Sequence, residues 1–317
     1  MTLPTRSSID RPPLVLALGA VVCGLVMLAG VPLEGAVVTS AACLMLLVFG
    51  LPHGTLDLEL IKARSRGPWT GLASLLVLYL GLAALMLALW QVAPVLALGA
   101  FILTATVHFS EDWEGTGSRF LELGVALGLL CAPTLIHRDA LSQIFVGLTG
   151  QAEASIIADL MLLVTPVALV VAVVAISALW SGGRRVQAMG ATLTLASMVV
   201  LPPIVGFALY FCFFHSPRHF RESLSALDWR GFARWGWVVV PLTLAAGGIA
   251  LVLFGLEIRS ALPERIMAAS FMTLSILTVP HMLVPLLVGA LARRDGRTAP
   301  PRAGRAAGQH RRAVLAD

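Results

Sequence analysis

Residues 94–114 read PVLALGAFILTATVHFSEDWE. From Pro94 to Ser110 this stretch carries no Asp, Glu, Lys or Arg, and it then closes on His108, Glu111 and Asp112. A continuous apolar run of this length is too long for a barrel strand. In hydrocarbon it must be helical, because lipid offers the backbone no hydrogen-bond partner. The histidine at its end is the anomaly, since a polar base at membrane depth is costly unless something binds it.

The same pattern recurs along the chain. Further windows lie near 14–31, 36–54, 70–90, 119–136, 157–180, 186–214, 235–255 and 266–291, beside the one at 93–110. The 317 residues are 58% hydrophobic and 12% charged, with a mean hydropathy of +0.90, and no single soluble core hides that much apolar surface. The expected fold is all-α, a polytopic integral membrane bundle of about eight to ten transmembrane helices in the cell (inner) membrane. One membrane-embedded domain is expected over 1–292, followed by a basic tail over 293–317. The first run reads as a retained helix, because no small-residue cleavage site closes it.

Lys62, Arg64 and Arg66, the stretch from Arg218 to Arg234, and the tail from Arg293 to Arg312 hold the positive charge and orient the chain with these parts in the cytoplasm. The tail lacks apolar periodicity and is expected to be disordered; its charge explains much of the chain's net +5, and it reads as a topology signal or lipid contact, with no nucleic-acid partner. Cys23, Cys43, Cys131 and Cys212 sit singly in apolar segments and read as small core residues.

Counting spans creates a conflict. With the N-terminus inside, His53 and His108 fall toward the cytoplasmic half, whereas His215 falls on the opposite face. Either residues 119–155 hold an extra crossing, or the run 186–214 is broken at Pro202-Pro203 into short or re-entrant pieces.

Five of the seven histidines lie at membrane depth or at span ends: GLPHGTLDLEL at His53, TATVHFSEDWE at His108, FCFFHSPRHF at His215 and His219, and TVPHML at His281. His137, expected on a loop beside Arg138 and Asp139, and His310 in the tail fit no such setting. The pairs His53/Asp57, His108/Asp112 and His215/His219 are each four residues apart, which on a helix is one face; Pro217 starts or kinks the last of these helices. Imidazole suits Fe, Zn, Cu and Ni. Metal-bound histidines need the other ring nitrogen held, and Asp57, Asp112 and Glu111 are candidates for this. A local cap or interfacial hydrogen bond at a helix end is the alternative role for each pair.

The HGxxD box at His53, the HF-S-x-D box at His108, the FxxxHSPRH box and the PHM string together resemble the Brp/Blh family of bacterial and archaeal β-carotene 15,15′-dioxygenases, over about residues 45–290. The resemblance implies Fe(2+) held by four catalytic histidines, corresponding here to His53, His108, His215 and His219. It also implies cleavage of β-carotene by O2 at the central double bond into two all-trans retinal, which feed a rhodopsin-type protein. A substrate dissolved in the lipid bilayer suits a site among membrane helices, which admits it sideways. His281, Asp57, Asp112, Tyr210 and Phe214 are candidates to orient ligands or line the substrate path, within an aromatic group that includes Phe109, Trp113, Phe211 and Phe213.

Rival readings are a membrane haem protein, a desaturase-like di-iron enzyme, which wants more histidines, and a non-catalytic carotenoid or retinal binder. An opsin is disfavoured, because Lys62, the only lysine, sits at a span end beside Arg64 and Arg66.

Overall fold

The computed structural model describes residues 14–64, 72–229, 231–256 and 261–294. Arg6, Arg11, Arg66 and the tail from residue 295 on lie outside the described residues, as do the side chains of His53, Lys62 and Arg64. Thirteen α-helices and no strand occur among the described residues: α1 (Leu14–Leu28), α2 (Ala36–Gly50), α3 (Asp57–Arg64), α4 (Leu72–Val92), α5 (Pro94–Phe109), α6 (Arg119–Cys131) and α7 (Thr134–Thr149), then α8 (Ser155–Ser181), α9 (Arg185–Val200), α10 (Pro203–Tyr210), α11 (Ser216–Ala226), α12 (Phe232–Leu256) and α13 (Leu262–Arg294). The chain is an all-α membrane bundle, as the hydropathy pattern requires.

Six of the described helices are long and apolar enough to cross a membrane, and the pair α6 and α7, bent by 69° at its junction, makes a seventh if it counts as one span. This is fewer than the eight to ten expected. Two apolar windows do not become full spans: 14–31 yields the 15-residue α1, and 186–214 splits into α9 of 16 residues and α10 of 8.

Proline chemistry accounts for the split. Leu201 and Pro202 each precede a proline and are extended, at φ −84°, ψ 154° and φ −51°, ψ 140°. The ring of the following proline excludes the helical region at both positions. Pro133 sits at the bend between α6 and α7, and His137 has φ −114°, ψ 29° inside α7. His137 is thus not on a loop; it lies at a kink in α7, 3.2 Å from the carbonyl of Val200 at the end of α9. Of the two devices invoked to resolve the span conflict, the break of 186–214 at Pro202-Pro203 is present, whereas 119–155 holds the bent pair α6 and α7, which counts as one span at most.

The packing is that of a bundle in lipid. α8 buries Ala158, Ala168, Ala172 and Ala175 and turns Leu163, Val167 and Val170 outward. Small residues inside and large ones outside allow backbones to approach where lipid gives no hydrophobic drive. The contact of α6 with α8 depends on this. A Cβ at Gly128 would meet the Ala168 carbonyl at 3.1 Å and Ala172 Cβ at 3.0 Å. Gly128→Leu must push α8 away, so it is expected to lower the unfolding midpoint in detergent, by an amount equivalent to about 1–3 kcal/mol. An unchanged midpoint would contradict the close α6–α8 approach.

Candidate metal centre

Four elements converge on one buried point. α5 delivers His108 in its last turn, and a 3-10 turn over Ser110–Trp113 then turns Asp112 inward. α10 runs into a π-helical turn, Phe211–His215, ending on His215, after which α11 starts at Ser216 and carries His219. Pro217 near the start of α11 has no N–H to continue an α-helical ladder, and a widened turn next to a functional residue is the usual place for a π-bulge. α13 supplies His281 beside Pro280. The turn Leu51–Leu56 leads into Asp57, and Gly50 before it lets α2 touch Phe211, whose Cε1 would lie 2.4 Å from a Cβ there.

His108 is the hub. Its ring centroid is 4.6 Å from those of His215 and His281 and 5.3 Å from that of His219, and all three rings meet it edge-on. The Nε2 atoms of His108 and His215 face each other at 3.0 Å. Ligand nitrogens of His108, His219 and His281 all lie within 4.8 Å of one another, close enough to hold one ion.

The second nitrogens of two rings are held by buried carboxylates. His215 Nδ1 is 2.8 Å from Asp112 Oδ2, and His281 Nδ1 contacts Asp57 Oδ2. Each Nδ1–H therefore donates to its carboxylate, which leaves the Nε2 lone pair aimed at the shared space. His108 Nδ1 lies 3.9 Å from Glu111 Oε2, near enough for charge but too long for a hydrogen bond.

Asp112 is itself gripped. Tyr210 donates to its Oδ2 at 2.6 Å, while Arg218 Nη1 at 2.6 Å and Gln187 Nε2 at 2.8 Å donate to its main-chain carbonyl. Burial works to lower the Arg218 pKa, but the carboxylates of Asp112 and Glu222 outweigh it and hold the guanidinium above its ordinary value. A permanent cation thus backs the Asp112–His215 pair.

The histidines at 108, 215 and 219 come together as the sequence suggests, and the span count that set His215 apart is overruled by its 3.0 Å approach to His108. Asp57, Asp112, His281 and Tyr210 reach the same point. Phe214 instead stacks on Trp113, with ring centroids 5.2 Å apart, and lies over Gly190. His53 lies on the turn Leu51–Leu56, and its side chain is outside the described ones. The sequence reading missed Arg218 and Gln187. Gln187 was detectable as an amide at the start of an otherwise apolar helix, and Arg218 as the cation between the two histidines of HSPRH.

The imidazole set fits a metal ion. With metal–nitrogen bonds of about 2.1 Å, two ligands at right angles stand about 3 Å apart, which is the His108–His215 separation. Two facing Nε2 atoms, one of them already committed as a lone pair by Asp112, need a proton or a cation between them. The structure therefore carries both the converging donors and the outer hydrogen bonds that orient such ligands.

The family model for β-carotene 15,15′-dioxygenase matches residues 44–288. Among curated proteins, the β-carotene 15,15′-dioxygenase of uncultured marine bacterium 66A03 is 29% identical, aligned with 76% of this chain and 90% of its own length. The probable β-carotene 15,15′-dioxygenase Blh of Halobacterium salinarum is also 29% identical, covering 90% of this chain and 94% of its own length. No solved structure matches significantly. A match that spans all four histidine boxes, on a chain that folds them to one point, has one reading: the chain belongs to the β-carotene 15,15′-dioxygenase family.

Proposed function

We propose that this chain is an iron(II)-dependent membrane oxygenase that splits the central 15,15′ double bond of β-carotene with O2 into two all-trans retinal, which pass to a rhodopsin-type pigment. The observation that carries the reading is the 3.0 Å approach of His108 and His215 Nε2, with two of the surrounding imidazoles tied back to Asp112 and Asp57. The resemblance supports His108, His215 and His219 as ligands, while the geometry groups His108 and His219 with His281 and brings His215 Nε2 to 3.0 Å from that of His108. His53 is carried by the resemblance and His281 by the geometry.

Bound there, iron would supply the binding and activation of dioxygen that a closed-shell polyene cannot achieve alone. The neutral imidazoles leave the centre cationic. Asp112 and Asp57 fix the ring tautomers, and Tyr210 and Arg218 fix Asp112 in turn. His108 and His215 are each 1% exposed, so the site excludes bulk water. That favours an apolar substrate and protects a reactive centre from side reactions.

The haem alternative is disfavoured by the same geometry. A porphyrin must slide between its two axial imidazoles, but the rings of His219 and His281 crowd His108 at 5.3 and 4.6 Å. Expression in carotene-accumulating bacteria is the test. Loss of orange colour with retinal as the product is expected, together with about one iron per chain and no Soret band. Colour retained with carotenoid co-purifying under oxygen would favour the non-catalytic binder.

A further inference from the structure

An apolar cavity of ≈ 80 Å³ is walled in part by residues of the three helices that lead to the histidines. On α5, Leu98 and Ala105 line it, ten and three residues ahead of His108. These offsets correspond to about 15 and 4.5 Å along a helix rising 1.5 Å per residue. On α13, Phe271 lines it ten residues ahead of His281, again about 15 Å. Phe207 on α10 lines it eight residues ahead of His215. On all three the cavity residue precedes the histidine, so the cavity lies to one side of the centre.

Its length has a chemical meaning. From the central double bond of β-carotene to either ring is about nine bonds, and at about 1.2 Å per bond in any extended chain this is about 11 Å. That distance falls within the 4.5 to 15 Å spanned along α5. Phe207 in the cavity wall packs on Phe109 and Phe211, with mutual ring distances of 5.6–6.1 Å, and Phe109 in turn meets His215 at 4.9 Å. Such rings offer a polyene flat apolar faces.

We propose that this cavity seats one ring end of the carotenoid and acts as a measuring stick, so that the central double bond stops at the histidines. The inference rests on the reading of the site as a carotenoid oxygenase. It adds that bond selection is set by the apolar depth of the cavity, since a hydrocarbon offers no polar handle by which to be positioned.

The test shortens the cavity from α7, away from the histidines, with Ile144→Phe and Leu148→Phe, both at lining positions. Purified iron-loaded protein is assayed on β-carotene and on β-apo-8′-carotenal, one arm of which ends in a slender open chain. Each variant is expected to keep its iron and lose about tenfold or more in kcat/KM on β-carotene, with the preference shifting toward the truncated substrate by a similar factor. An unchanged preference in active, iron-replete variants overturns the ring seat. Wild-type protein that cleaves neither substrate overturns the carotenoid reading itself. Free β-ionone, a detached ring end, decides the matter on wild type alone should the variants not fold. Competitive inhibition of β-carotene cleavage is expected, and its absence overturns the proposal.

Discussion

Under the proposed function, alanine in place of His108 is expected to abolish retinal formation and to prevent iron binding. The ring of His108 is in contact with those of His215, His219 and His281, and its Nε2 lies 3.0 Å from that of His215. Removing it takes away one donor and also the ring against which three others are packed edge-on. The lost iron distinguishes this from loss of a substrate contact, so metal content by elemental analysis is the decisive measurement. Cleavage falling below about 1% of wild type with iron lost is the expected result. His219→Ala tests the same centre from α11, and retained cleavage there would sink the ligand model. Thermal unfolding in detergent separates these effects from misfolding, because the helix spans do not depend on an imidazole for their apolar packing.

Much of this was legible in the chain. Hydropathy alone required a helical membrane bundle, and Pro202-Pro203 marked the break that lets α10 bring His215 back to His108. The chemistry of the centre was legible as a set of histidines and acids, but its wiring was not. The spacings His53/Asp57 and His108/Asp112 invite pairing within each box. In the structure Asp57 reaches His281, 224 residues away, and Asp112 reaches His215, 103 residues away. The reason is local. The turn Ser110–Trp113 is 3-10 rather than α, so Asp112 leaves the face on which His108 lies and points across to the π-turn. Spacing rules hold while a helix stays regular, and here it changes type between the two residues. Hydropathy measures apolar length, while Pro133 and Pro202 decide how that length is divided into helices.

That cross-wiring makes Asp112 the position where a one-atom change has the largest expected effect. Asp112 Oδ2 accepts from both Tyr210 and His215 Nδ1, and the nearby Arg218 balances its charge. Asp112→Asn preserves the shape and removes the charge. The amide must either offer its oxygen to two donors without the charge that strengthens those bonds, or turn its NH2 toward them and clash donor against donor. In either case His215 is held less firmly with Nδ1–H outward, and its Nε2 lone pair is less reliably aimed at His108. A loss of about 10–100-fold in iron affinity and cleavage is expected, the range typical when the hydrogen-bond partner of a ligating histidine is removed. Tyr210→Phe deletes one hydrogen bond from the same oxygen but leaves the carboxylate. It is expected to cost only about 1–2 kcal/mol, or roughly tenfold. The ordering is the discriminating result. If Tyr210→Phe were as damaging as Asp112→Asn, the phenol would itself act on the substrate; if Asp112→Asn kept full iron and full cleavage, His215 would not need its carboxylate. Asp57→Asn repeats the experiment on His281, where lost iron would add that ring to the ligand set and unchanged iron would leave it a neighbour of the ion.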